Sequence, residues 1–595
     1  MIMIKKVNRN YFWCTTFVQE LASLGVKYAC ISPGSRNTAL TIAFSENKAI
    51  KSYVIIDERS SGFFALGLAK ASQSPVAIVS TSGTAVAEFY PAIIEAYYHH
   101  VPLIVCTADR PPELLNCGAN QTINQDNIFR NHIRWYFNLG LPELSVKRLL
   151  NLKTIAARAY YESTIDSKGP VHLNFPFRKP FEPNDFTDEI QEDLIKSKIS
   201  SSKLTASNQE NVKSTYSKKD FNELYKLLKR TKKGLIIAGP DYIDSNFAEN
   251  CTKLAAKLKY PILADGISQL RFGKHNKKNI LVNFEGFLRT DSFLKNWNPE
   301  LILHFGKTPT SKGLELFFEQ SDSLKYLVNE FGDWYDPSNK AVAVIGLKPS
   351  VYCKSIIDAL EKDNFQRDED NWLNTYLKLE KISVTSREKI IDKADFPFEG
   401  RIIGEITSLL PDNSMLMISN SMPVRDTDYF AVKSDKTICV YNNRGASGID
   451  GITSTALGIQ AHSQKPTVLI TGDLAFYYDL NGLLTSLKYK IPLVVVLVNN
   501  NGGGIFQMLP VSGYDKVFND YFITPHNLNF SSIVKSYGGS FINITSWKHL
   551  KAEFKSALRQ NKLTILQVKT NSKYSADLRR KYWSNISKDL SEKFQ

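Results

Sequence analysis

The sequence has no long hydrophobic run. Its longest, Ile491 to Val498, is eight residues, enough for a buried strand and far short of the roughly 20 residues a membrane-spanning helix needs. Cysteine is also sparse. The seven cysteines, Cys14, Cys30, Cys106, Cys117, Cys251, Cys353 and Cys439, are scattered, and no CxxC pair or Cys/His spacing suggests zinc. Cys30 and Cys106 sit in apolar strand-like runs, where cysteine acts as a small buried hydrophobe. A reducing, cytoplasmic setting is therefore expected. Residues Met1 to Asn10 place their few apolar side chains before Lys5 and Lys6, the wrong order for a signal peptide. There is no GxxxxGK[ST] loop, no zinc-finger spacing and no RNA-binding aromatic signature, so nucleic acid is not the expected partner. The surplus of 74 Lys and Arg over 59 Asp and Glu, a net +15, is left to solvated faces or small acidic substrates.

What is present is a globular chain of several domains. It has 595 residues, 43% hydrophobic and 22% charged, which excludes disorder as its main character. In the first third, strand-like runs end at Ser32-Pro33-Gly34, Asp57-Glu58-Arg59, Ser82-Gly83 and Ala108-Asp109-Arg110, with helical patterns between them. Continuous apolar strands separated by helices predict a parallel sheet covered on both faces. From 186 to 219 Asp, Lys, Ser and Asn dominate, the composition of a solvated linker. A second αβ region follows over 220–361, then a charged, helix-compatible stretch over 362–395. A last αβ region over 396–595 has strands near Met415 to Ser419, Thr437 to Tyr441, Thr467 to Ile470, Pro492 to Val498 and Leu563 to Val568. The expected architecture is α/β, with three doubly wound domains and mainly parallel sheets.

Ligands of such sheets sit beyond the carboxyl ends of the strands. Those positions hold Ser35, Arg36, Glu58, Arg110, Asp473 and Asn500. The strongest pattern is Thr471-Gly472-Asp473-Leu474 followed by Asn499-Asn500-Asn501-Gly502-Gly503-Gly504. A βαβ unit returns its second strand parallel to the first, so Asp473 and Asn500 are expected at one sheet edge. A carboxylate, an amide oxygen and the backbone carbonyl at Gly502 form a hard oxygen set suited to Mg²⁺, completed by phosphate and water. Taken alone, each piece also reads as an ordinary loop closure.

This pattern resembles that of thiamine diphosphate-dependent enzymes, whose motif is usually written GDG followed by NN; Leu474 replaces the last glycine, as in one branch of the family. The resemblance implies that Glu58, in Val54-Ile55-Ile56-Asp57-Glu58-Arg59-Ser60, is the catalytic acid set against N1′ of the aminopyrimidine. Asp57 is read as a helix cap. The resemblance makes residues 1–185 the pyrimidine-binding domain and 396–595 the diphosphate- and metal-binding domain. It further implies thiamine diphosphate with Mg²⁺ (or Mn²⁺), and a homodimer or tetramer with active sites between subunits.

Further stretches point to the branch that joins 2-oxoglutarate to isochorismate in menaquinone biosynthesis. They are Ile31 to Thr38, Asp57 to Gly67, Thr107 to Leu114, Gly118 to Gln125, Asn443 to Gly451 and Asn501 to Phe506. Both substrates are dianionic, and a guanidinium pairs bidentately with a carboxylate. Carried over by motif, the substrate-binding residues are Ser35, Arg36, Arg110, Gln121, Lys312, Ser421, Arg425 and Arg444, with Ile505, Phe506 and Leu509 as an apolar wall. Ile449 is the candidate prop under the bent cofactor; a core isoleucine is the equal alternative. Some members carry a second basic residue after the middle-domain lysine, where Gly313 stands here. The alternative within the class is another thiamine diphosphate-dependent 2-oxo acid decarboxylase or carboligase. A binding protein and a catalytically dead scaffold are the rivals outside it.

Overall fold

The computed structural model describes residues 4–191, 218–240, 244–368 and 371–593. The chain forms two compact units: 1–210 with 443–464 and 475–493, and 211–442 with 465–474 and 494–595.

The first unit opens with β1 (Ile4–Val7) and carries a six-stranded sheet made of β2 (Tyr28–Ile31), β3 (Lys51–Val54), β4 (Val76–Ser80), β5 (Leu103–Asp109), β6 (Trp135–Asn138) and β7 (Pro170–Pro176). The order is β3-β2-β4-β5-β7-β6 and every pairing is parallel. β4, β5 and β7 are buried along their whole length, as expected of central strands covered by helices on both faces. β8 (Asp188–Gln191) pairs antiparallel with β1. The expected linker therefore begins with an ordered strand; 192–217 lie outside the described residues, and its last two residues, 218–219, open the helix Lys218–Arg230.

The second unit holds two more parallel six-stranded sheets. One is built from β9 (Gly234–Ala238), β10 (Ile262–Ala264), β11 (Ile280–Leu281), β12 (Leu301–Phe305), β13 (Leu324–Asn329) and β14 (Ala341–Gly346), in the order β11-β10-β9-β12-β13-β14. The helix Asn371–Lys393 occupies the charged stretch that follows. The other sheet is built from β15 (Ser414–Ile418), β16 (Ile438–Tyr441), β17 (Thr467–Gly472), β18 (Val494–Asn499), β19 (Ser540–Asn543) and β20 (Thr564–Lys569), in the order β16-β15-β17-β18-β20-β19. The six residues of β18, Val-Val-Val-Leu-Val-Asn, are all buried; each apolar side chain among them stabilises the fold by about 1.5–3 kcal/mol. Within this unit a buried ion pair ties loop to helix. Arg271 Nη2 donates to Asp428 Oδ1 at 2.7 Å, while its Nη1 donates to the carbonyls of Thr427, Asp428 and Ala431.

No helix among the described residues is long and apolar enough to cross a membrane. Cys30 and Cys106 are fully buried, as expected of strand cysteines, and all seven thiols are free.

Candidate active site

In the first unit, Glu58 is the first residue of the helix Glu58–Ser72, and Asp57 caps that helix by accepting from Ser60 N–H at 3.1 Å. The two acids thus divide the work: Asp57 is spent on the helix end, and no other described residue donates to the Glu58 side chain. Burial pushes the Glu58 carboxyl up, reinforced by Asp57 and Glu88 and opposed by its own backbone N–H. A carboxyl in that state holds a proton more readily than an exposed one.

Arg36 and Arg110 follow β2 and β5. Arg36 is 8% exposed, lies over the Phe181 ring and donates Nη1 to Phe177 O at 2.9 Å; its Nε is buried with no partner among the described residues. Arg110 donates Nη1 to Ser82 Oγ at 3.1 Å and Nη2 to Asn120 O at 2.7 Å. Burial, and then the neighbouring Arg110 charge, pull the Arg36 guanidinium down to about 10, against the opposing pull of Asp109. Neither arginine forms an ion pair among the described residues. Gln121, at φ 55°, donates Nε2 to Ser82 O at 2.9 Å, and Ser82 Oγ donates to Gln121 O at 3.0 Å. Ser82 thereby joins Arg110 to Gln121. Ser35 is exposed, at the turn where Thr38 donates to its carbonyl. Arg444 and Ile449 are half-buried in the loop after Asn443.

In the second unit, β17 and β18 are adjacent and parallel, with Gly472 level with Val498, so Asp473, first residue of the helix Asp473–Tyr478, and the loop bearing Asn500 start from the same sheet edge. Asp473 is buried; its Oδ2 accepts from Gly502 N at 2.9 Å and its Oδ1 from Leu474 N at 2.8 Å. Burial pushes its carboxyl up against those donors. Gly502 has φ 142°, and a Cβ there would collide with Ile523 O, so only glycine brings the backbone this close. The Gly502 amide meets Asp473, while its carbonyl accepts from Gly504 N at 2.9 Å; the carbonyl's second lone pair is the one a cation would use.

The three asparagines are sorted by their partners. Asn499 Oδ1 accepts from Asn501 N at 3.0 Å, and Asn501 Oδ1 accepts from Asn527 N at 2.8 Å. Asn500 Oδ1 alone of the three is buried with no partner among the described residues, and Asn500 Nδ2 donates to Glu399 Oε1 at 3.1 Å. An orphaned amide oxygen and a buried carboxylate at one sheet edge fit a divalent cation. No cluster of three His, Cys, Asp or Glu competes for that role among the described residues.

Two residues here carried no sequence signal. His526 Nε2 lies 3.2 Å from Asp473 Oδ2, while its Nδ1 accepts from Leu528 N at 3.0 Å. That acceptor role leaves the proton on Nε2, so His526 donates to Asp473. Glu399 also receives Thr570 Oγ1 at 2.8 Å and Arg579 Nη2 at 2.8 Å, and Arg579 binds both carboxylate oxygens of Asp426.

Ser421 has φ 70° and precedes the helix Met422–Phe430; Arg425 Nη1 donates to its carbonyl at 2.7 Å. A non-glycine residue in that region is strained, a feature that gathers at functional sites. Ile505 and Phe506 lie half-buried in the 3₁₀ turn Gly504–Met508, with the Phe506 ring 5.4 Å from Phe522, and Leu509 is 44% exposed. Lys312 opens a helix of the second unit. It is half exposed at the start of the helix Lys312–Gln320, paired with Glu315 at 2.8 Å. A Cβ at Gly313 would lie 3.0 Å from Glu285 Oε2, so this chain has no room for a second basic side chain there without displacing Glu285.

Comparison with known proteins gives the class first. Residues 14–128 match "Thiamine pyrophosphate enzyme, N-terminal TPP binding domain", 194–418 match "Middle domain of thiamine pyrophosphate", and 428–568 match "Thiamine pyrophosphate enzyme, C-terminal TPP binding domain". The fold is similar to benzoylformate decarboxylase from Polynucleobacter necessarius, with TM-score 0.68 and 16% identity over 94% of this chain and 98% of that one. The particular relatives are 2-succinyl-5-enolpyruvyl-6-hydroxy-3-cyclohexene-1-carboxylate synthases. Those of Bacillus cytotoxicus and Geobacillus thermodenitrificans are each 37% identical over 98% of this chain and 98% of their own, and that of Haloarcula marismortui is 37% identical over 98% and 99%. The chain belongs to this synthase family.

Proposed function

We propose that this chain catalyses the thiamine diphosphate-dependent union of 2-oxoglutarate with isochorismate. The C1–C2 bond of 2-oxoglutarate breaks and carbon dioxide leaves. The electron pair left at C2 forms a carbon–carbon bond in a 1,4 sense to the isochorismate ring, which takes up a proton. The product is 2-succinyl-5-enolpyruvyl-6-hydroxy-3-cyclohexene-1-carboxylate, on the route to menaquinone. Thiamine diphosphate, when bound, supplies the carbon nucleophile and the electron sink.

The chain's own residues divide as follows. Asp473, Asn500 and the Gly502 carbonyl would hold Mg²⁺ (or Mn²⁺), which would supply positive charge to bind the diphosphate. Glu58 holds a proton at its carboxyl for exchange with the aminopyrimidine, and Ile449 supports the cofactor from the Asn443–Gly451 loop. Arg36, Arg110, Arg425, Arg444 and Lys312 balance the substrate carboxylates, with Ser35, Gln121 and Ser421 as hydrogen-bonding partners. Ile505, Phe506 and Leu509 exclude water from the ring. A homodimer or larger assembly that shares sites between subunits, and a cytoplasmic setting, complete the reading.

The observation that carries the substrate class is the Arg36–Arg110 pair. Two neighbouring guanidiniums, one of them buried, form no ion pair among the described residues; burial first, and then their repulsion, lowers Arg36 against the pull of Asp109. A dianionic substrate offers a carboxylate to each guanidinium; an oxo acid with an uncharged side chain offers only one. The test is a coupled assay with both acids, Mg²⁺ and thiamine diphosphate. The synthase consumes 2-oxoglutarate and isochorismate in equal amounts, with one carbon dioxide for each. Carbon dioxide release with isochorismate untouched assigns the chain to the alternative, a simple decarboxylase.

A further inference from the structure

The helix Tyr90–Tyr98 carries one acid, Glu95, in an otherwise apolar and aromatic segment. Glu95 is 3% exposed, and its carboxylate lies in a buried cluster with Lys70 and His99, each 8% exposed. Lys70 Nζ lies 3.6 Å and His99 Nδ1 3.1 Å from Glu95 Oε1. Burial alone would raise the Glu95 carboxyl; the His99 hydrogen bond, the Lys70 charge and the Gly445 N–H together hold it down at about 2, so it is an anion throughout the physiological range.

An anion buried this deeply needs fixed donors, and two come from the loop that bears Arg444. Gly445 N donates to Glu95 Oε1 at 2.9 Å and Ala446 N to Glu95 Oε2 at 2.7 Å. Lys70 Nζ reaches the same loop, donating to Asn443 Oδ1 at 2.8 Å, and Asn443 Nδ2 donates to Thr455 Oγ1 at 3.0 Å. Residues 443, 445 and 446 are thus pinned on both sides of Arg444. The fit is close: a Cβ on Gly445 would lie 2.5 Å from the Glu95 carbonyl and 3.0 Å from its carboxyl carbon.

We propose that Glu95, supported by Lys70 and His99, is a positioning residue that fixes the backbone on either side of Arg444 and so aims its guanidinium at a substrate carboxylate. This rests on the reading of Arg444 as a substrate anchor. Glu95 itself touches neither substrate nor cofactor. Its effect passes through two adjacent backbone N–H groups, a contact that a shorter or neutral side chain cannot reproduce on both donors at once.

The experiment is a double-variant cycle in the holoenzyme. Arg444→Ala, Glu95→Gln, Gly445→Ala and the double variant Glu95→Gln/Arg444→Ala are compared by KM for each acid and by kcat. Gly445→Ala removes no charge from the cluster but pushes the loop away from Glu95, so it carries the test even where Glu95→Gln fails to fold. The expected result is a KM rise of about tenfold, one charge-assisted contact, in Glu95→Gln and Gly445→Ala. It falls on the same acid that Arg444→Ala affects, with kcat nearly unchanged and no further rise in the double variant. A KM rise in Arg444→Ala but none in Glu95→Gln or Gly445→Ala, or effects that multiply in the double variant, overturns the positioning role. Unchanged KM values in Arg444→Ala itself remove the substrate reading of Arg444 and the inference with it, which distinguishes the two failures.

Discussion

Glu399 Oε1 accepts the Asn500 Nδ2–H at 3.1 Å, and this one contact decides which end of the amide faces the sheet edge. Glu399 is in turn fixed by Arg579 and Thr570. With the nitrogen end anchored, the oxygen end is the only donor atom Asn500 can offer a cation. Partners of this kind orient metal-binding side chains and typically control affinity by about 10–100-fold. Glu399→Gln is expected to weaken Mn²⁺ binding by that factor in the presence of thiamine diphosphate. Unchanged Mn²⁺ affinity by calorimetry removes Glu399 from this role.

Glu58→Gln keeps the shape of the side chain and removes its proton exchange. Turnover is expected to fall by at least about 10²-fold, the low end for loss of a general acid–base group, with thiamine diphosphate still bound. Carbon dioxide release followed beside cofactor titration checks both halves; wild-type turnover removes Glu58 from the mechanism.

Arg110→Met deletes one of the two facing guanidiniums. A charge-assisted hydrogen bond contributes about 1.5–3 kcal/mol, so kcat/KM for one acid is expected to fall roughly tenfold to hundredfold. Titrating each acid separately shows which carboxylate Arg110 meets; equal values for both acids and the wild type place Arg110 outside the site.

His172 is fully buried on β7, with Nε2 2.7 Å from Thr107 Oγ1. Thr107 spends its own hydroxyl proton on Asn174 Oδ1, so His172 donates and is neutral. Burial pulls its imidazole down to about 3, below the ordinary value of about 6.5. The unfolded chain binds more protons between those values, so stability from His172 is present above pH ~6.5 and lost as pH falls toward 3. Thermal unfolding across that window is expected to show a shallower acid slope in His172→Gln than in the wild type. Identical slopes refute the neutral buried assignment.

Arg271 and Asp428 form a buried pair, each side chain 1% exposed. Asp428→Ala leaves the guanidinium uncompensated and is expected to cost about 3–5 kcal/mol, read as a lower midpoint in urea unfolding. A change below ~1 kcal/mol contradicts the pairing.

The three parallel sheets were readable because their central strands are apolar runs separated by helical patterns, as in β5 and β18. The meeting of Asp473 and Asn500 at one sheet edge followed from the parallel return of a βαβ unit. The β1–β8 pair was not readable: Asp188–Gln191 has a single apolar residue and sits in a linker-like composition. Its pairing comes from the complementary edge of Ile4–Val7 rather than from its own pattern. His526, Glu399 and Glu95 were missed for a related reason. Each is a lone polar residue whose role is set by a partner far along the chain. Only Glu95 left a trace, as the one acid in an apolar helical segment. The orphaned oxygen of Asn500 was legible only once the partners of Asn499 and Asn501 were known.

On the proposed reading, the Asp473–Asn500 edge would bind thiamine diphosphate through a divalent cation. The direct measurement is calorimetric titration of thiamine diphosphate into the wild type and Asn500→Leu, with and without Mg²⁺. Saturable binding is expected only to the wild type and only with Mg²⁺ present. Equal binding by Asn500→Leu, or by the wild type in the presence of a chelator, contradicts it.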